Sequence, residues 1–73
     1  MDDMLRAWGV NIKERREALG MTQFDLATAI GVSWSTMSRW ESGGAEPTRQ
    51  NKALIAGALK TEVQALFPIA SVA

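Results

Sequence analysis

Glycine and proline cut this chain into pieces that are too short for anything except small helices packed across one another. Gly20, Gly31, the pair Gly43-Gly44, Pro47 and Pro68 stand at short intervals. Between them lie mostly good helix formers, and no run alternates apolar and polar residues as a half-buried strand would. There is no repeat, low-complexity tract or internal linker. The spacing predicts a single all-α domain over residues 1–73, with four to five short helices packed orthogonally.

The pattern predicts a first helix from about Leu5 to Leu19. Ile12, Arg16 and Leu19 fall at i, i+4 and i+7, with Leu5 and Trp8 on nearly the same face. Gly9 costs about 1 kcal/mol relative to Ala in a helix middle, which allows a start at Trp8 or later. Gly20 suits a left-handed helix end. Thr22 and Asp25 have the spacing of a capping box, opening a helix with Leu26, Ala27 and Ile30 inward and Gln23 at its amino end. Gly31 ends that helix after about eight residues. Ser33 is the expected N-cap of a third helix running through Glu41, with Met37 and Trp40 inward. Two short helices joined through a glycine turn form a helix-turn-helix, here about residues 22–41. Pro47-Thr48 opens a fourth helix whose apolar side is read as Leu54, Ile55, Ala58 and Leu59. Thr61 is expected to cap a last helix from Glu62 to Phe67, which Pro68 stops.

Composition narrows the chemistry. The 73 residues include no Cys and no His, which removes disulfides, thiolate nucleophiles, imidazole bases and nearly every structural zinc site. Without a metal-ligand cluster or a glycine-rich phosphate loop, no enzyme, metal or cofactor is expected. Eight basic and eight acidic residues give a formal net charge of zero, so a nucleic-acid partner would require a locally basic face. No apolar run reaches the ~20 residues of a membrane span, and the acidic start Met1-Asp2-Asp3 is unlike a signal peptide. The expectation is a soluble protein with no membrane partner, located in a reducing bacterial cytoplasm.

The run Met21 to Gly43, MTQFDLATAIGVSWSTMSRWESG, carries the densest signal. Its Thr22-Gln23, Asp25-Leu26-Ala27, Ile30-Gly31-Val32-Ser33, Thr36-Met37-Ser38 and Trp40-Glu41-Ser42-Gly43, with Arg16 and Gly20-Met21 upstream, resemble the Cro/repressor class (lambda repressor-like, XRE) of helix-turn-helix domains. NKALIAGALKTEVQALFP, Asn51 to Pro68, is similar to the end of lambda-type domains, so the resemblance covers Ile12 to Pro68. It implies a lambda repressor-like fold, and a regulator that occupies a double-stranded DNA operator through the major groove.

In the third helix, Trp34, Ser35, Ser38 and Arg39 fall outward and are the candidate base-reading residues. Arg39 could pair bidentately with a guanine, and each such contact discriminates by about 1–3 kcal/mol. The resemblance puts Trp34 and Ser35 at base-reading positions. Trp34 departs from the family's usual polar residue, and could press on a thymine methyl or the sugar-phosphate wall, or serve as a surface or partner contact. For DNA phosphates the resemblance implies Gln23, Ser42, Thr48, Arg49 and Asn51; Ser33 is a further phosphate candidate, and Lys52 joins Arg49 in adding charge on the same side. It also implies a structural ion pair between Arg16 and Glu41; a lone Arg16–phosphate contact is the alternative. Trp8 and Trp40 are read as core, and Phe24 is assigned no function.

Within DNA binding, a phage repressor or Cro-like protein, a restriction-modification controller and an antitoxin's operator domain compete. The first is favoured because the sequence is little more than the domain. A module whose main partner is a protein is the rival from another class. Such regulators usually bind two half-sites as symmetric dimers. The apolar tail over residues 68–73 would then support a weak homodimer, either free or formed only on DNA.

Overall fold

The computed structural model describes residues 3–69, and these form five helices. They are α1 (Asp3–Ala18), α2 (Gln23–Ile30), α3 (Trp34–Ser42), α4 (Arg49–Ala58) and α5 (Val63–Leu66). No strand occurs among the described residues. Ile12, Leu26, Met37, Ile55 and Leu59 are fully buried, and Trp8, Ala27, Trp40, Ala56, Leu66 and Phe67 complete one core to which all five helices contribute. Fully burying a side chain of the Ile, Leu or Met class contributes about 1.5–3 kcal/mol, so these few residues dominate the packing energy.

The helix ends follow one hydrogen-bond scheme. Beyond α1, Gly20 is left-handed and Met21 N–H donates to the Arg16 carbonyl at 3.0 Å. Beyond α2, Gly31 (φ 77°) is followed by Val32 N–H donating to the Ala27 carbonyl at 3.0 Å. Beyond α3, Gly43 (φ 81°) is followed by Gly44 N–H donating to the Arg39 carbonyl at 2.8 Å. Each arrangement satisfies carbonyls that a helix end would otherwise leave bare. After α4 the same six-residue bond runs from Thr61 N–H to the Ala56 carbonyl at 3.0 Å, but the left-handed residue is Lys60 (φ 57°).

Four expectations are corrected. Helix α1 begins at Asp3 and passes straight through Gly9. The glycine is there for contact: a Cβ would overlap the Glu41 carbonyl oxygen and stand 2.7 Å from the Trp40 carbonyl oxygen. Leu19 lies beyond the helix and is exposed. Leu54 is 42% exposed, because α4 turns Ile55 and Ala56 inward, with Leu59 just past its end. The last helix is shorter, Val63–Leu66, and its N-cap is Glu62 without a side-chain hydrogen bond, not Thr61.

Side chains of α1 hold the ends of the C-terminal elements. Trp8 Nε1 donates to the Pro68 carbonyl at 2.9 Å and Asn11 Nδ2 to the Leu66 carbonyl at 2.9 Å. Arg15 donates to the Leu59 and Lys60 carbonyls at 2.8 and 3.1 Å, covering the end of α4. Trp8 also meets Phe67 edge-on, with centroids 5.5 Å apart. Of the apolar tail, Pro68 and Ile69 are exposed; residues 70–73 lie outside the described residues.

Candidate nucleic-acid interface

The helix-turn-helix is set by local chemistry at both of its starts. Thr22 Oγ1 accepts from Asp25 N–H at 3.0 Å, while Asp25 Oδ2 accepts from Thr22 N–H at 2.9 Å, which completes the predicted capping box. Ser33 Oγ accepts from Thr36 N–H at 3.1 Å and opens α3. The turn between the two helices is Gly31-Val32-Ser33.

Helix α3 has an anchored side and an open side. On the anchored side Met37 and Trp40 enter the core. Glu41 there receives a two-pronged contact from Arg16, with Nε to Oε2 at 2.7 Å and Nη2 to Oε1 at 2.9 Å. Arg16 Nη1 donates to the Met21 carbonyl at 2.8 Å, so the guanidinium is fully engaged inside the protein. This is the structural ion pair expected of Arg16 and Glu41, and it leaves no place for a lone Arg16–phosphate contact. The hydrogen bond to Glu41 raises the Arg16 pKa above its ordinary value, desolvation opposes that rise, and the Glu41 charge reinforces it. A raised folded-state pKa stabilises the protein fully below the unfolded value, and the contribution is lost only at strongly alkaline pH.

On the open side, Trp34 is 55% exposed, and Ser35 and Arg39 are exposed. Ser38 is half-buried. Ser35 Oγ lies 3.1 Å from Ser33 Oγ, which also lies 2.9 Å from Thr36 Oγ1. Ser33 is therefore occupied as a cap, and the Thr36 hydroxyl belongs to the same cluster. Ser42 Oγ donates to the Arg39 carbonyl at 3.0 Å. Phe24, beside Gln23, is 65% exposed.

The remaining phosphate candidates divide. Gln23 Nε2 donates to Glu41 Oε1 at 3.0 Å, so its amide is oriented by the ion pair. Thr48 Oγ1 accepts from Asn51 N–H at 3.1 Å and caps α4. Arg49, the first residue of α4, is exposed, and Asn51 is half-buried. The expectation for Lys52 needs correcting. Its ammonium stands 4.2 Å above the Trp8 ring centroid and 2.9 Å from Glu46 Oε2, and its side chain is only 15% exposed. Ring face and carboxylate both hold that charge, so Lys52 braces the α1–α4 contact.

Gln23, Ser38 and Ser42 come together with Glu41 around one open notch of about 210 Å³. Lys13 of α1 completes its rim, and no reading of the sequence singled this residue out. A signal was available: Lys13 precedes Arg16 by three residues, nearly one helical turn, on the side of α1 that faces α3.

Residues 12–66 match the Helix-turn-helix family HTH_3. The chain is 38% identical over 61 residues to the cryptic phage CTXphi transcriptional repressor RstR of Vibrio cholerae serotype O1, covering 78% of this chain and 54% of that protein. It is 44% identical over 43 residues to the HTH-type transcriptional regulator DicA of Escherichia coli K12, covering 59% of this chain and 32% of that protein. The chain thus spans about half the length of the first relative and a third of the second. Among solved structures, the restriction-modification controller protein C.AhdI from Aeromonas hydrophila superposes with a TM-score of 0.82 at 31% identity, covering 89% of this chain and 97% of that one. The glycine-joined helix pair, the Arg16–Glu41 tie and these likenesses agree: the chain belongs to the Helix-turn-helix family HTH_3.

Proposed function

We propose that this protein is a sequence-specific double-stranded DNA-binding transcriptional regulator, of phage or bacterial Cro/repressor type, acting by operator occupancy. The observation that carries the reading is the two-sidedness of α3. Its back is fixed by Met37, Trp40 and the Arg16–Glu41 pair, while Trp34, Ser35 and Arg39 stand outward. A helix held this rigidly can enter a major groove as a unit. Arg39 reads a base edge, Ser35 and Ser38 add polar contacts, and Trp34 contributes an apolar one. Gln23, Ser42, Thr48, Arg49 and Asn51 contact the backbone and fix register, which is the usual division between affinity and sequence choice.

The relatives named above are a repressor, a regulator and a restriction-modification controller, which supports gene regulation. No helix among the described residues is long and apolar enough to cross a membrane. Action on DNA in the cytoplasm, as a weak dimer formed on paired half-sites, fits the proposal.

Selection of bound sequences from a random duplex pool tests it. A recovered consensus that Arg39→Ala relaxes at one or two base pairs, with melting unchanged, is the expected outcome. Failure to enrich any sequence, with binding to another protein that is insensitive to salt, would overturn it in favour of a protein-binding module.

A further inference from the structure

We infer that Lys13 is an additional DNA-contacting residue, supplying the charge of a phosphate seat whose other walls are Gln23, Ser38 and Ser42. The inference rests on the DNA-binding reading above and assigns a specific role to the notch between α1, the start of α2 and the outer side of α3.

The electrostatics of the notch are simple. Glu41 is the acidic group on its wall, and a carboxylate would ordinarily repel a phosphate. Both of its oxygens are already taken, Oε2 by Arg16 Nε and Oε1 by Arg16 Nη2 and Gln23 Nε2. The Arg16 charge cancels that of Glu41 at contact distance. Lys13 is then the cationic group left on the rim: it is exposed, and no hydrogen bond or ion pair within 4 Å holds it among the described residues, with Glu17 one helical turn along α1. Ser38 likewise has no partner for its hydroxyl, so it is the free hydroxyl donor of the seat, while Ser42 donates to the Arg39 carbonyl and lines the wall.

Gln23 alone cannot do this work. One amide hydrogen is committed to Glu41, and the amide carries no net charge of its own. An anion meeting this side chain finds one remaining N–H and no positive charge. An ammonium across the notch supplies that charge. Lys13 is suited to this as a flexible point charge with three donors. It also lies on the same rim as Ser38 of the reading helix, so a phosphate held there would fix how deeply α3 sits.

Duplex binding by Lys13→Gln, Lys13→Arg and the unchanged protein, measured from about 50 to about 200 mM salt, tests the inference. Each phosphate contact contributes about 0.9 to the slope of log affinity against log salt. The Gln variant should lose about that much slope, which is about 3.5-fold in affinity across the range. It should lose affinity equally for the selected sequence and for unrelated duplex, because a phosphate contact carries no sequence information. Lys13→Arg should restore the slope, and all three proteins should melt together. A Gln variant with the wild-type slope overturns the assignment to Lys13 while leaving the DNA-binding reading intact. An unchanged protein that binds no duplex at any salt overturns both.

Discussion

In the α2–α3 half and in the α4–α5 half of this molecule, α2, α3 and α4 end with the same backbone bond but by different means. In the first half the left-handed residues are Gly31 and Gly43, and the helix starts are capped by Thr22 and Ser33. In the second half Thr48 caps the start of α4 in the same way, but the left-handed residue is Lys60, and Glu62 opens α5 without a side-chain cap. What the second half lacks locally, α1 supplies from a distance through Arg15, Asn11 and Trp8. The half that presents the reading helix has its helix ends specified by its own residues, with α1 anchoring its back through Arg16. The other half is specified by what it leans on.

Glu41→Ala should break this comparison hardest, because it strands the buried Arg16 that ties α1 to the self-specified half. A loss of about 3–5 kcal/mol in chemical denaturation is expected. Gly9→Ala attacks the same junction sterically, by pushing a methyl group into the backbone of α3. It should cost about 1–3 kcal/mol by the same measurement, even though alanine is the better helix former.

Arg15→Met keeps the apolar stem but removes both bonds to the end of α4, and should cost about 1–2 kcal/mol. Hydrogen exchange should then accelerate at Lys60 and Thr61 well before it does so in α2 and α3. Thr22→Ala should lose about 1 kcal/mol, whereas Thr61→Ala should stay within about 0.5 kcal/mol, since only the former is a cap. Lys60→Gly should raise stability by about 0.5–1 kcal/mol. It relieves a left-handed strain of about 1–2 kcal/mol and partly repays that in chain entropy. A melting temperature unchanged or lowered by Lys60→Gly would mean that the Lys60 conformation carries no local strain.

The same contrast explains what could be read from the sequence. Caps, glycine ends and inward stripes act within one helical turn, so Thr22, Asp25, Gly31, Ser33, Met37 and Trp40 announced the helix-turn-helix directly. The Arg16–Glu41 tie spans 25 residues and was legible only through the family resemblance. Gly9 misled because propensity counts the cost of a missing side chain and cannot see α3 lying against it. Leu54 misled because the four adjacent apolar positions Ala53 to Ala56 on α4 cannot all face one way, and packing turns Ile55 and Ala56 inward. Lys52 was counted by charge alone, although Trp8 and Glu46 claim it across long separations. Lys13 went unnoticed for the converse reason, since its neighbours Gln23, Ser38 and Ser42 are assembled only by the packing of three helices.

The three tryptophans divide between the two sides of the molecule in a way that makes it self-reporting. Trp8 and Trp40 are sealed inside, 3% and 6% exposed, while Trp34 stands in solvent at the first turn of α3. Indole emission from the sealed pair follows the integrity of the fold, and emission from Trp34 follows whatever approaches the reading helix. One unlabelled sample therefore carries separate optical channels for unfolding and for docking, and replacing Trp34 with Phe silences the second without touching the first.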